Sequence, residues 1–153
     1  MRYIYLMNGL NFPSYNFRIR DKTVGKEIFD SVRNQWVALT PEEWVRQHTA
    51  QWLKEAKNYP ASLMAVEKQI KVNGLHRRCD IICHDNSGNP VVIVECKSPD
   101  VAITQDLFDQ AARYNLTVGA SFFLLTNGIR HFCCTLNHES QSWIFLEDLP
   151  EYK

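Results

Sequence analysis

Val91-Val92-Ile93-Val94-Glu95-Cys96-Lys97 is an apolar run that ends on an acid and a lysine two residues apart. Side chains at i and i+2 of a strand share a face, so a buried strand here carries Glu95 and Lys97 side by side at its open end. Burying either charge alone is costly. The pair therefore needs a purpose, and the run reads as the central strand of the fold.

The flanking segments supply its neighbours. Val66 to Val72 mostly alternates apolar with polar, Asn73-Gly74 is a preferred two-residue hairpin turn, and Leu75 to His84 runs back. Counting outward from 72/75 sets Glu67 opposite Asp80, their Cβ atoms about 5 Å apart on one face. A bulge, or a helix over Leu63 to Ile70, would undo that register. Thr40-Pro41-Glu42-Glu43 is a helix start, with Thr40 as N-cap, Pro41 at the first position and Glu43 completing a capping box. Trp44, Val45, His48, Trp52 and Leu53 recur at helical spacing until Tyr59-Pro60. A second helix, from about Gln105 to Leu116, points Leu107, Phe108, Ala111, Ala112 and Leu116 at the sheet and aligns Gln110 with Tyr114. Phe122 to Thr126 and His131 to Leu136 read as two more strands. Residues 1–39 read as a small β appendage, 40–136 as the core and 137–153 as a peripheral tail, all one domain of α/β class with an α+β mixed sheet.

A chain of 153 residues buries one core and is too short to add a motor. Met1-Arg2-Tyr3-Ile4-Tyr5-Leu6 lacks the apolar segment of a signal peptide and nothing reaches membrane length, so a cytoplasmic protein without membrane contact is expected. Of the five cysteines, Cys79, Cys83 and Cys96 sit in apolar strands, which argues against a disulfide framework. His131, Cys133, Cys134 and His138 suggest zinc only superficially, because adjacent strand cysteines point to opposite faces. Seventeen Lys and Arg balance seventeen Asp and Glu, so strong duplex binding by the whole surface is excluded. Any nucleic-acid contact must be local, and Arg18, Arg20, Lys22 and Lys26 form one basic cluster and His76, Arg77 and Arg78 another.

Hard carboxylate oxygens from neighbouring strands suit Mg²⁺, which takes one or two protein acids plus waters and lowers the pKa of a bound water. Asp80 and Glu95 are such a pair, the Cys96 backbone carbonyl is a further candidate ligand, and Lys97 can orient a nucleophile and stabilise a crowded phosphate. Glu67 is either a third acid of this site or a strand glutamate paired with Arg78 or Lys68. Trp44 and Trp52 read as core in preference to a base-stacking platform, and His48 between them as structural.

Asp80 followed by Glu95-Cys96-Lys97 resembles the PD-(D/E)XK nuclease superfamily, and Gln110-Ala-Ala-Arg-Tyr114 resembles the Q-x-x-x-Y motif of its RecB-like branch. With Thr40-Pro-Glu-Glu-Trp-Val-Arg-Gln47, Val66-Glu67-Lys68, Arg78-Cys-Asp80, Phe108-Asp-Gln110, Arg113-Tyr-Asn115 and Thr126-Asn-Gly128, the chain from about Phe12 to Leu136 is similar to the N-terminal nuclease domain of type I restriction enzyme R subunits. The resemblance implies a restriction-endonuclease-like mixed sheet flanked by helices and a metal-dependent endonuclease of restriction-modification. It implies Asp80 and Glu95 as ligands of Mg²⁺, with Mn²⁺ as a substitute, Lys97 as catalytic, and Gln110 and Tyr114 near DNA or the active site. Expected partners are DNA and a motor or specificity subunit. The alternative on the same residues is a catalytically silent nucleic-acid-binding or subunit-docking module, in which Gln110 and Tyr114 merely cap the sheet.

Overall fold

The computed structural model describes residues 9–153 other than Asn73. The opening Met1 to Leu6 read above, and Asn73 of the hairpin turn, lie outside the described residues. β1 (Ile19–Asp21), β2 (Lys26–Asp30) and β3 (Gln35–Ala38) form a three-stranded antiparallel sheet. β4 (Met64–Val72), β5 (Leu75–His84), β6 (Pro90–Cys96), β7 (Phe122–Thr126), β8 (His131–Asn137) and β9 (Ser142–Leu146) form a six-stranded sheet in sequence order. Only the β6/β7 pair is parallel among the described residues. A parallel pair needs a long crossover, and α2 (Gln105–Leu116) supplies it. α1 (Pro41–Glu55) precedes the large sheet. This is the expected α+β architecture. No helix among the described residues is long and apolar enough to cross a membrane.

α1 begins where its sequence says. Thr40 Oγ1 accepts from Glu43 N at 3.0 Å, and Pro41 opens the helix. The capping box is not closed, however, because the Glu43 carboxylate turns to Arg33, Arg46 and Gln47. Two guanidiniums and an amide outbid one backbone N–H, since hydrogen bonds between charged groups are the stronger kind.

Each helix covers one face of the sheet. Ile81, Cys83, Val92, Val94 and Cys96 pack with Val45 and Leu53 of α1, while Cys79, Ile82, Ile93, Phe123 and Leu125 pack with Phe108, Ala111 and Ala112 of α2. The central strand β6 is thus apolar on both sides because both sides are covered. Truncating Ile93, fully buried, to Ala should cost about 2–5 kcal/mol. Cys133 and Cys134 fall in opposite layers, as adjacent strand residues must.

The β4/β5 hairpin exchanges its faces midway. Regular alternation would put Cys79 with Ile81, yet Cys79 packs with Ile82 beside α2, and Asp80 turns to α1. Across from it Glu67 adopts φ 54°, a left-handed conformation that costs a non-glycine residue about 1–3 kcal/mol. The ladder reads Val66↔Ile81 and Lys68↔Cys79 on either side, without a register shift, so Glu67 and Asp80 do face one another. Gly74, at φ 79°, and the Val72↔Leu75 pair close the turn as expected.

One boundary and one helix face need correction. The tail 137–153 is not peripheral: β9 extends the sheet through Cys133↔Leu146 to Asn137↔Ser142, Trp143 Nε1 donates to Ala112 O at 2.9 Å, and Leu149 is 2% exposed. On α2 the deeply buried positions are Phe108, Ala111, Ala112 and Asn115, while Leu107 and Leu116 lie at its margins.

Candidate functional site

The turn between β2 and β3 starts the site. Asp30 Oδ1 accepts from Val32 N and Arg33 N at 2.8 and 2.9 Å, and its Oδ2 accepts from Arg33 Nε and Gln47 Nε2 at 2.5 and 3.0 Å. Burial pushes the Asp30 carboxyl up, but these donors outweigh it and hold it below the usual range. Arg33, so fixed, reaches Glu43 Oε1 at 2.9 Å and Glu67 Oε2 at 2.8 Å. The appendage is therefore joined to the core through its own arginine.

Arg46, one turn into α1, is the hub. Its guanidinium, 5% exposed as a residue, lies 2.7 Å from Asp80 Oδ1, 3.2 Å from Glu67 Oε1 and 3.2 Å from Glu42 Oε1, and also pairs with Glu43. Glu67 takes Arg78 as well, at 3.0 Å. Burial raises the Glu67 carboxyl, and Arg46, Arg33 and Arg78 more than reverse that. Glu42 goes the other way: burial and the neighbouring Asp80 charge push its carboxyl up. Five carboxylates (Asp30, Glu42, Glu43, Glu67, Asp80) meet three guanidiniums (Arg33, Arg46, Arg78), an excess of two negative charges.

Asp80 is anchored from its other oxygen, Oδ2, which accepts from Cys96 N at 2.8 Å. It is the amide of Cys96 that meets Asp80. Glu95 faces the α2 side, where Asn115 Nδ2 donates to Oε2 at 3.2 Å, Arg77 Nη2 lies 3.8 Å from Oε2, and Lys97 Nζ lies 3.5 Å from Oε1. Glu95 and Lys97 thus stand together at the end of β6. A cavity of about 360 Å³ opens there, lined by His76, Arg77, Arg78, Glu95, Lys97, Gln110 and Tyr114. The structure brings all seven of these sequence-singled residues to one place. Asp80 and Glu67 lie outside this lining, in the Arg46 network.

The donor set suits a hard divalent ion. The acids are carboxylates, with the hard oxygens such a cation takes, Asp80 in the Arg46 network and Glu95 beside Lys97 at the cavity. Among the described residues no three His, Cys, Asp or Glu side chains form a group able to hold an ion by themselves, so a bound ion would keep several waters.

Three supporting residues escaped the sequence reading. Arg46, inside the 40–47 motif, and Arg33 carried no assigned role, because beside their local acids Glu42, Glu43 and Asp30 they reach Asp80 and Glu67 on other elements. Asn115 sits at a helix position that periodicity assigns to the core, and it is 1% exposed. Asn127 Nδ2 holds Val101 O at 2.8 Å and Lys97 N donates to Thr126 O at 2.8 Å, so the Thr126-Asn-Gly128 turn steadies the backbone that follows Glu95. The basic cluster at Arg18, Arg20, Lys22 and Lys26 is spent locally: Arg20 and Lys22 pair with Glu27, Lys26 pairs with Asp21, and Arg18 lies over Phe29 and Trp36. His48 donates from Nδ1 to Trp44 O at 2.9 Å amid Phe12, Phe17 and Trp44, a structural role.

Comparison with curated proteins finds no match. Comparison with protein families matches residues 41–150 to the type I restriction enzyme R protein N terminus, a span that includes α1, the whole six-stranded sheet, and Glu67, Asp80, Glu95 and Lys97. The chain belongs to this family of type I restriction enzyme R protein N-terminal domains.

Proposed function

We propose that the protein is a Mg²⁺-dependent endonuclease that hydrolyses DNA phosphodiesters, with Asp80, Glu95 and Lys97 as its working groups. The observation that carries this reading is the convergence of Glu95 and Lys97, 3.5 Å apart, at the mouth of the cavity, with Asp80 on the neighbouring strand fixed by Cys96 N. Asp80 and Glu95, with Glu67 as a further acid, would hold the metal; when bound it supplies an activated water and a positive charge on the scissile phosphate. Lys97 orients the attacking water and stabilises charge on the phosphate oxygens. Asn115 fixes the Glu95 carboxylate, and Arg46 and Arg33 fix Glu67 and Asp80. DNA, and a motor or specificity subunit, are the partners this reading implies.

A second reading, a silent docking module, has one observation in its favour. Arg46 already neutralises Asp80, and an acid satisfied by a guanidinium has less need of a metal.

Calorimetric Mg²⁺ and Mn²⁺ titrations of the wild type, Asp80→Ala and Glu95→Ala, run beside plasmid cleavage at low salt, separate the two. Metal binding and cleavage lost together in both variants support the nuclease. A wild type that binds no metal even with DNA present refutes it and leaves the docking module.

A further inference from the structure

Arg77 is the least satisfied charged group at the site. Its side chain is 10% exposed, and its Nε and Nη1 are shielded from solvent with no hydrogen-bond partner among the described residues. Its contacts are the Tyr114 ring, whose centroid lies 3.3 Å from Cζ, and Glu95, whose Oε2 at 3.8 Å from Nη2 is beyond hydrogen-bond length. Leaving charged donors unmade is costly, so this guanidinium is poised to take an acceptor.

We propose that the cavity between β5 and α2 is a binding subsite for a phosphate group of a nucleic-acid strand, with Arg77 as the residue that contacts it. A guanidinium presents its N–H groups as a planar fork that matches two phosphate oxygens. Around it Arg78, Lys97 and His76 line the same cavity, where Glu95 is the one carboxylate among the lining residues. Arg77 and Lys97 stand against the single acid Glu95, and Arg78 is shared with Glu67, so the lining is net positive on a chain whose Lys and Arg only equal its Asp and Glu. The other basic cluster is consumed by Glu27, Asp21 and aromatic rings, so the attraction that the whole surface lacks is concentrated here. Gln110 is exposed at the rim and adds an amide donor. Tyr114 is 51% exposed and covers the guanidinium. Its ring, stacked on the guanidinium, orients Arg77 and so acts as a positioning residue.

The inference rests on the nucleic-acid reading above, but its test uses no cleavage. In EDTA, protein with ¹⁵N-labelled arginine is titrated with inorganic phosphate and with 12-nucleotide single strands bearing a 5′-hydroxyl or a 5′-phosphate. The Arg77 Nε–Hε signal should shift with phosphate and with at least one strand; a shift with both strands assigns a backbone phosphate, and a shift with only the 5′-phosphorylated strand a terminal one. Arg77→Met should weaken strand binding about tenfold and lower the salt slope by about 0.7, while Lys54→Gln, at the far end of α1, should leave both unchanged. An Arg77 signal that ignores both strands, or an Arg77→Met variant that binds them like wild type, overturns the proposal. The wild-type titration needs no variant to fold. Failure to cleave with Mg²⁺ would count against the nuclease and leave this result standing.

Discussion

Arg46 Nη2 lies 2.7 Å from Asp80 Oδ1, across 34 residues of chain and from helix to sheet. This one guanidinium also serves Glu42, Glu43 and Glu67, so α1, β4 and β5 are tied at a single buried point. Removing it strands several carboxylates, and an unpaired buried charge costs about 3–5 kcal/mol. Arg46→Met should therefore lower unfolding stability in urea by about that much. Asp80→Asn should cost far less, because Arg46 keeps three other acids and an amide oxygen can still accept from Cys96 N. Equal losses in the two variants would mean that Arg46 is not the hub.

Asn115 gives a test of site geometry apart from fold. Its Nδ2 is shared between Ala111 O at 2.7 Å and Glu95 Oε2 at 3.2 Å. Asn115→Ala frees the Glu95 carboxylate while leaving its charge, and should cost about 1–3 kcal/mol of stability. On the nuclease reading it also lowers kcat with little change in KM, since Asn115 positions Glu95 and touches no substrate. A variant that loses only stability would assign Asn115 to packing.

Much of this could be read from the residues alone, where local rules decide. Thr40-Pro41 fixed where α1 begins, Asn73-Gly74 fixed the hairpin register to 72/75, and that register carried Glu67 to Asp80 across the sheet. What failed was long-range. Glu43 fits a capping box until Arg33 and Arg46 arrive from elsewhere. Ser142–Leu146 is apolar at Trp143, Ile144, Phe145 and Leu146 in succession, so no period-two signal marks β9, an edge strand with both faces partly open. The face exchange at Asp80 has no local signature either, because nothing in the sequence around Glu67 marks it for a positive φ.

A buried imidazole, His48, and a half-buried one, His131, set a pH dependence. Burial holds both His48 and His131 below the usual value, as their surroundings are the rings of Phe12, Phe17 and Trp44. His131 donates from Nε2 to Asn11 O at 2.7 Å, which leaves Nδ1 to accept from Thr126. An unfolded histidine takes its proton near pH 6.5, and the folded one only lower. Stability is then complete above about pH 6.5 and is lost as pH falls through the folded values, by at most about 1.4 kcal/mol per unit for each group. Urea midpoints should drop from about pH 7.5 to about pH 5.5, and the drop should shrink in His48→Leu. Midpoints that stay level would reject the assignment.

Gly128 sets the sharpest steric test. It lies at φ 86°, and a Cβ there would come 2.5 Å from Leu10 Cδ2 and 3.0 Å from Val45 Cγ2. Asn11 N donates to its carbonyl at 2.7 Å, so the same turn holds the segment leading to β1 against α1. Gly128→Ala combines a left-handed backbone penalty of about 1–2 kcal/mol with an overpacking cost of about 1–3 kcal/mol. Gly88, at φ 83° with open space around it, isolates the first term. Gly88→Ala should thus lose only the backbone penalty, and the difference between the two midpoints measures how tightly Leu10 and Val45 close over the turn. If the two alanine variants unfold alike, Leu10 simply moves away and the turn does not depend on that contact.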